Sequence, residues 1–175
     1  MANPIVKVGL IGCGEVAQTV HIPTLGFLND RFLITYLCDV SLQALDFCAR
    51  RVVGPPPATT RDAATLCASS DVDVVFVINS SEYHAEHAVI ALSHGKHVFL
   101  EKPAALSLRD LHSIIEAEAA SAGTVMVGYM RRYAGPFVEA VKEVGGLDKI
   151  LYARVRGKTL AMNESGVKHF KQADL

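Results

Sequence analysis

Residues 5–17, with the sequence IVKVGLIGCGEVA, join a short apolar strand to a glycine-rich turn and the start of a helix. A dinucleotide pyrophosphate needs this order at the carboxyl edge of a parallel sheet. Gly12 permits the tight turn, Gly14 places no Cβ where phosphates approach, and the small Ala17 lets the helix pack closely on the strand. The free N–H groups of the first helical turn then face the anion. We therefore expect the cofactor-binding turn to comprise Gly12, Gly14, Glu15, Val16 and Ala17.

A second apolar strand is predicted at residues 32–38, and Asp39 stands at its end. An acidic residue at this place accepts hydrogen bonds from both ribose hydroxyls and repels a 2′-phosphate. No arginine follows it immediately, because the next two residues are Val40 and Ser41. The expected cofactor is therefore NAD, with NADP as the alternative. Asp39 could instead, or in addition, cap the helix predicted to start at Ser41.

Composition and charge narrow the class of protein. The chain has 175 residues, 50% of them hydrophobic, and a formal net charge of −1 at pH 7. This length supports one good core but is short for two full domains. No basic block occurs, so we expect neither a nucleic-acid partner nor a membrane partner. The absence of a cationic, apolar leader and of close cysteine pairs predicts a cytoplasmic protein with reduced thiols.

Short apolar runs alternate with amphipathic stretches along the chain. Strands are predicted at residues 5–11, 32–38, 72–78, 97–100 and 124–128, with a further short strand after Pro55, Pro56 and Pro57. Helices are predicted at residues 15–28, 41–53, 61–69, 83–94 and 107–121, and Pro23 is expected to end or kink the first of them. Residues 72–78 are apolar almost continuously, as in a parallel sheet covered on both faces. The predicted fold class is α/β, with a doubly wound parallel sheet of the Rossmann type.

Ordered motifs extend well beyond the glycine turn. They are GCGEVA at 12–17, NSSEYH at 79–84, ALSHGKHV at 91–98, EKP at 101–103 and VGYMRRY at 127–133. In this order they resemble the Gfo/Idh/MocA oxidoreductases, a family that includes glucose-fructose oxidoreductase and inositol dehydrogenase. The resemblance covers residues 5–156. It implies an N-terminal Rossmann domain that binds NAD or NADP, and the oxidation or reduction of sugars, polyols and related alcohols.

The resemblance also implies a catalytic group. Hydride transfer from an alcohol needs a base that takes the hydroxyl proton as the carbonyl forms, and a lysine amine can serve. Lys102 follows the predicted strand at 97–100, facing the crevice where an open α/β sheet binds ligands. The resemblance makes Lys102 the catalytic and substrate-contacting lysine of the Glu-Lys-Pro motif. It also implies that Glu101 contacts the cofactor and orients this lysine, and that Pro103 fixes the backbone. A solvated surface charge is the alternative for Lys102.

Four further polar residues are candidates for the site. Asn79 is expected to bond the nicotinamide ribose or ring carboxamide, with a helix cap as the alternative. His84 and His87 share a helical face, but no cysteine or carboxylate is placed to complete a metal site with them. We therefore expect them to pack in the fold and expect no metal. Arg132 is expected to hold a hydroxylated or anionic substrate, with a surface charge as the alternative.

Two domains are expected: a dinucleotide-binding Rossmann domain at 1–135 and the start of a substrate and oligomerisation domain at 136–175. Residues 149–156 alternate as a strand does, and we predict that they form the first and only strand of that second α/β domain. The remaining residues, 157–175, are polar and do not match the family continuation. By resemblance, family members continue into a sheet that covers the crevice and carries an Asp and a His assisting the lysine. No residue of this chain matches either of them, so the expectation is a C-terminally truncated member.

Three functions follow from these expectations. The first is an NAD(P)-dependent oxidoreductase acting on a CH–OH group of a small-molecule substrate, with its lid supplied by a second copy of the chain or by a partner chain. The second is a catalytically inactive cofactor-binding remnant. The third is an enzyme that uses the Rossmann pocket for a non-redox or redox-neutral reaction. A bare crevice neither excludes water nor holds substrate near the nicotinamide, so the first function, which we expect, requires the lid.

Overall fold

The computed structural model describes residues 4–146, 148, 151–152, 158–162 and 168–172. The chain divides into two compact units, Met1–Tyr129 and Met130–Leu175. The strands of the first unit are β1 (Val6–Ile11), β2 (Phe32–Cys38), β3 (Ala58–Thr60), β4 (Val74–Val77), β5 (His97–Leu100) and β6 (Val125–Val127). Its helices are α1 (Ile22–Phe27), α2 (Leu42–Ala49), α3 (Ala63–Cys67), α4 (His84–Ser93) and α5 (Leu108–Ala119).

The six strands form one parallel sheet in the order β3-β2-β1-β4-β5-β6. The chain runs outward from β1 through β2 to β3, and then returns to the other side of β1 at β4. The strand order therefore reverses between β1 and β4, which is where open α/β sheets bind ligands. The predicted doubly wound Rossmann architecture is confirmed.

Two buried clusters cover the two faces of this sheet. One cluster contains residues of β1, β2, α1 and α2, among them Val8, Leu10, Ile22, Leu37 and Leu45. The other contains residues of β4, β5, α3, α4 and α5, among them Leu66, Val75, Leu92, Leu100 and Ile114. Because both faces are covered by helices, the central strands must be apolar on both sides, which explains their continuous hydrophobic sequence.

The first helical segment remains helical through Pro23. Residues 15 and 16 are helical, the turn Ala17–His21 is a π-helix, and α1 follows with Pro23 in its first turn. A proline has no N–H for the carbonyl one turn earlier, and its ring crowds that carbonyl. A wide π turn is a usual way to accommodate such a disturbance. The helix therefore does not end at Pro23. The irregularity that accompanies the proline is the π turn at Ala17–His21, immediately before α1.

Helix α3 begins later than the sequence predicts. The predicted segment was 61–69, whereas the observed helix is Ala63–Cys67 with Asp62 as its N-cap. The Asp62 carboxylate accepts hydrogen bonds from the N–H groups of Ala64 at 3.3 Å and Thr65 at 3.0 Å. Arg61 consequently lies at the end of β3 and outside the helix.

The second unit contains a 3-10 turn (Met130–Tyr133), helix α6 (Gly135–Glu143) and an antiparallel pair, β7 (Lys158–Met162) and β8 (Lys168–Gln172). A strand was predicted at 149–156, but Leu151 and Tyr152 are not in a strand. The prediction is therefore wrong at these two residues. Its other positions lie outside the described residues. The pair β7 and β8 was missed because cross-strand register, which local periodicity does not reveal, selects these segments. The predicted domain boundary after residue 135 stays a prediction.

No helix in the part of the chain that the structure describes combines the length and the apolar character needed to cross a membrane.

Candidate functional site

A cleft of about 700 Å³ lies at the carboxyl edge of the sheet, at the point where the strand order reverses. Its walls come from the residues that follow β1, β2, β3 and β4 and from the region where α4 begins. Six of the predicted cofactor residues line it, namely Gly12, Gly14, Glu15, Val16, Asp39 and Asn79. Residues separated in sequence are thus brought together at one opening by the parallel strands.

The glycine turn is shaped by two different requirements. Gly12 has a φ of +111°, and a Cβ added there would lie 2.8 Å from the Asn79 backbone nitrogen and Cα. Only glycine meets both the dihedral and the spatial demand at this position. At Gly14 an added Cβ would meet no heavy atom within 4 Å, so the space beside it is open for a ligand. Ala17 is fully buried in the cluster that covers β1, so its small side chain serves the predicted close packing.

Asp39 supports the turn with its side chain. One carboxylate oxygen accepts a hydrogen bond from the Cys13 N–H at 2.7 Å, and the other accepts from the Ser41 N–H at 2.8 Å. Each oxygen has a second lone pair, so both can also accept from ribose hydroxyls. The N-cap of α2 is Ser41, whose hydroxyl accepts from the Ala44 N–H at 3.2 Å. The alternative in which Asp39 caps this helix is therefore wrong.

Asn79 presents a buried acceptor without a partner. Its Nδ2 donates to Nδ1 of His87 at 2.8 Å, while its Oδ1 is buried and has no hydrogen-bond partner in the described residues. Burial lowers the pKa of His87, which keeps the Nδ1 lone pair available to Asn79. Ser80 is the N-cap of a 3-10 turn (Ser81–Tyr83) and Tyr83 is the N-cap of α4, so the alternative in which Asn79 caps the next helix is wrong. A ligand hydroxyl or amide N–H would satisfy the Asn79 oxygen, and the residues present thus fit a nicotinamide nucleotide.

His84 joins the end of β4 to the loop after β5. Its ring is buried, with Nδ1 2.7 Å from the Pro103 carbonyl oxygen and Nε2 3.1 Å from the Asn79 carbonyl oxygen. Across the described residues, no group of three or more His, Cys, Asp or Glu side chains is arranged to hold a metal ion. His84 therefore organises backbone at the edge of the site.

Lys102 is held through its backbone by its neighbour. One Glu101 oxygen accepts from the Lys102 N–H at 3.0 Å, and the other lies 3.0 Å from Nε2 of His21. The Glu101 and His21 side chains are only 14% and 10% exposed, and the His21 ring stands edge-on to Phe76 and Phe99. Lys102 itself is exposed just beyond β5, and the Lys102–Pro103 peptide is cis.

The structure separates the predicted residues into three groups. The glycine turn, Asp39 and Asn79 meet in the cleft, whereas Glu101 and Lys102 follow β5 and do not line it. Arg132 is exposed in the 3-10 turn of the second unit, and its role stays a prediction.

Several residues of this region were not predicted from the sequence. Arg61 and Tyr83 line the cleft, and His21 pairs with Glu101 across 80 positions of sequence. An aspartate such as Asp62 is a common N-cap, and recognising it would have placed Arg61 before the helix, at the strand end that borders the cleft. The pairing of His21 has no local sequence signal.

The four cysteines are free and buried. Burial raises the pKa of Cys38 to about 11 and that of Cys67 to about 12, and it raises the pKa of Cys13 as well. The thiolate is the reactive form of cysteine, so these thiols are inert at neutral pH. Cys13 fills a position in the turn despite its place at the start of a helix.

The fold and this cleft define a dinucleotide-binding Rossmann domain. The family described as "Oxidoreductase family, NAD-binding Rossmann fold" (GFO_IDH_MocA) matches residues 6–129. The chain belongs to this family, and the match confirms the resemblance seen in its motifs.

Relatives of the chain are dehydrogenases. It is 36% identical over 151 residues to inositol 2-dehydrogenase 3 of Saccharopolyspora erythraea, a match that covers 85% of this chain and 44% of the relative. It is 32% identical over 167 residues to inositol 2-dehydrogenase of Paracoccus denitrificans, covering 90% and 47%. The structure of myo-inositol dehydrogenase from Lactobacillus casei with NAD(H) and myo-inositol matches with a TM-score of 0.72 and 29% identity, covering 80% of this chain and 41% of that one. The chain spans less than half the length of these relatives.

Proposed function

We propose that the cleft binds NAD(H) and that the protein is an oxidoreductase transferring a hydride between nicotinamide and a CH–OH or carbonyl group of a sugar or polyol. The observation that carries the proposal is the cleft at the strand reversal, with an unobstructed glycine turn on one wall and Asp39 on another. The names of the relatives, which are inositol dehydrogenases, support the polyol class.

Each residue of the cleft has a role in this proposal. Gly12, Gly14, Glu15, Val16 and Ala17 provide the turn and first helical residues that hold the pyrophosphate. Asp39 accepts from the ribose hydroxyls through the lone pairs that its bonds to Cys13 and Ser41 leave free. The Oδ1 of Asn79, which is buried and has no partner in the described part of the chain, accepts from the nicotinamide ribose or the ring carboxamide.

Lys102 moves the proton in the proposed reaction. When bound, the nicotinamide ring accepts or supplies the hydride. Nζ of Lys102 takes the hydroxyl proton as the substrate carbon becomes a carbonyl, and returns it in the reverse direction. Glu101 fixes the lysine backbone through its bond to the Lys102 N–H, and His21 fixes Glu101. Lys102 is exposed, so substrate can reach it directly.

Substrate binding and assembly extend the proposal. We infer that Arg132 contacts a hydroxylated or anionic group of the substrate, and that a second copy of the chain or a partner chain contributes to the cover that excludes water. The need to hold substrate beside the nicotinamide supports such a cover. We place the protein in the cytoplasm, where buried free thiols such as these remain reduced.

Cofactor binding is tested by isothermal titration calorimetry with NADH. The wild type should bind, and Gly14→Val should abolish detectable binding, because the branched side chain would fill the open space beside the turn. Gly135→Val is the matched control, since a Cβ at Gly135 also meets no heavy atom within 4 Å and Gly135 does not line the cleft. An absence of heat with the wild type, or equal binding by Gly14→Val, would contradict the proposal.

Activity is tested by following NADH absorbance with NAD and a panel of polyols. Lys102→Ala should lower turnover at least about a hundredfold, because general base catalysis typically contributes that much. NADH affinity of the same variant is the control. Unchanged turnover would remove Lys102 from the proton-transfer role. Light scattering after size exclusion tests the contribution of a second copy to the cover, since a strict monomer receives none.

A further inference from the structure

Arg61 stands beside Asp39 at the edge of the sheet. β2 and β3 are paired in register at Cys38 and Thr60, and the Asp39 N–H donates to the Thr60 carbonyl at 3.3 Å. Asp39 and Arg61 are therefore the first residues beyond two neighbouring strands, whose separation is about 4.8 Å. Both residues line the cleft, so the arginine lies within reach of whatever Asp39 binds.

The Arg61 guanidinium is uncommitted. Arg61 is exposed and forms neither a salt bridge nor a side-chain hydrogen bond with any residue that the structure describes. Its neighbour Asp62 accepts from backbone N–H groups of α3. The five donors of Arg61 are therefore free for a ligand, and their planar arrangement suits phosphate oxygens.

Most of the charged side chains that line the cleft are acidic, and Arg61 is an exception. Glu15, Asp39 and Glu86 contribute three carboxylates, whereas Arg61 is the sole Arg or Lys among the described residues that line it. Asp39 opposes a 2′-phosphate, but both of its oxygens accept from backbone N–H groups, whose positive ends offset part of its charge. Arg61 supplies the cation that the 2′-phosphate would need at the same place.

We propose that Arg61 binds the 2′-phosphate of NADP(H), so that the cleft accepts NADP(H) as well as NAD(H). This inference rests on the proposed function, because it assigns a specificity-determining residue within the same cofactor cleft. It also differs from the expectation drawn from Asp39 and the residues directly after it, which favoured NAD. The cation comes from the end of the neighbouring strand β3, whereas Val40 and Ser41, which follow Asp39 after β2, carry no charge.

The experiment measures the Kd of NADH and of NADPH separately, by cofactor fluorescence at fixed ionic strength, for the wild type and three variants. Arg61→Ala should raise the Kd of NADPH about tenfold and that of NADH less than about threefold, because a charge-assisted contact is lost only with NADPH. Arg61→Lys should retain part of the NADPH affinity. Arg31→Ala removes the same charge from an exposed residue before the opposite end of β2 and should leave both constants unchanged.

The deciding quantity is the Kd of NADPH divided by the Kd of NADH. A ratio that rises at least about threefold in Arg61→Ala supports the inference, and the rise should shrink at high salt because exposed charges are screened. A smaller change, an equal loss of both cofactors, or NADH binding without NADPH binding by the wild type overturns the inference and leaves the proposed function standing. Failure of the wild type to bind either cofactor overturns the proposed function itself.

Discussion

Asp39 and Glu101 occupy equivalent places, since each directly follows a parallel strand, β2 or β5. Asp39 accepts from the N–H groups of Cys13 and Ser41 and lines the cleft. Glu101 accepts from the Lys102 N–H, but its other oxygen meets the ring of His21 and its side chain is 14% exposed. One carboxylate at a strand end thus lines the cleft and is the proposed ligand acceptor, whereas the other pairs with a buried histidine inside the fold.

The largest effect is expected for Glu101→Ala, which leaves His21 without its partner. Removing one member of a buried hydrogen-bonded pair typically costs about 2–3 kcal/mol, and the free energy of unfolding should fall by that amount in urea denaturation. Glu101→Gln is the control, because its amide can still accept from Lys102 and donate to His21. It should cost about 1 kcal/mol or less. If Ala and Gln cost the same, the support role of this carboxylate is refuted.

A smaller loss of stability is expected for Asp39→Asn. Asparagine keeps one acceptor oxygen, so one of the N–H groups of Cys13 and Ser41 loses its partner, at about 1 kcal/mol. Urea denaturation measures this cost, and calorimetry should show NADH binding about tenfold weaker, because a charged acceptor for the ribose is gone. Glu101→Gln should leave NADH affinity unchanged, since Glu101 does not line the cleft. Equal losses of affinity would erase the distinction between the two carboxylates.

The smallest effect concerns the dependence of stability on pH. Burial lowers the pKa of His87 from its usual 6.5. The charge of the neighbouring Glu86 raises this pKa and His84 lowers it further, so that the net shift is downward. As the pH falls below 6.5, the unfolded chain therefore takes up the proton before the folded protein does. The stabilising contribution of neutral His87 is present above pH 6.5 and is lost as the pH falls through the interval below it.

His87→Gln tests this dependence, because glutamine does not titrate and its oxygen can still accept from Asn79. The free energy of unfolding is compared at about pH 7.5 and about pH 5.5. The wild type should lose more stability than the variant, by less than about 1 kcal/mol. A greater loss in His87→Gln would contradict the assigned direction of the pKa shift.

Much of the first unit could be predicted from local sequence. The glycine turn needs residues without bulk at Gly12 and Gly14, and the apolar runs at β1, β2, β4 and β5 mark strands buried on both faces. Asp39 and Asn79 were placed in the cleft because parallel strands all end at one edge. These inferences use spacing along the chain, which the sequence records directly.

Other features depended on boundaries or on distant contacts. A two-residue error at the start of α3 concealed Arg61 inside a predicted helix, because helix ends depend on capping bonds that periodicity does not show. His21 was missed because its partner Glu101 is 80 positions away. The pair β7 and β8 was missed because strand pairing is a long-range choice.

The order of strands and helices, the turn at residues 12–17 and the types of side chain at each strand end are all written in the amino-acid sequence. Which of those groups lie close together depends on how the chain folds. The fold placed Arg61 beside Asp39, left one oxygen of Asn79 without a partner among the described residues, and enclosed Glu101 with His21. Hydrogen bonds and burial act between residues that are close in space, and the packing of the sheet and its helices determines which residues are close.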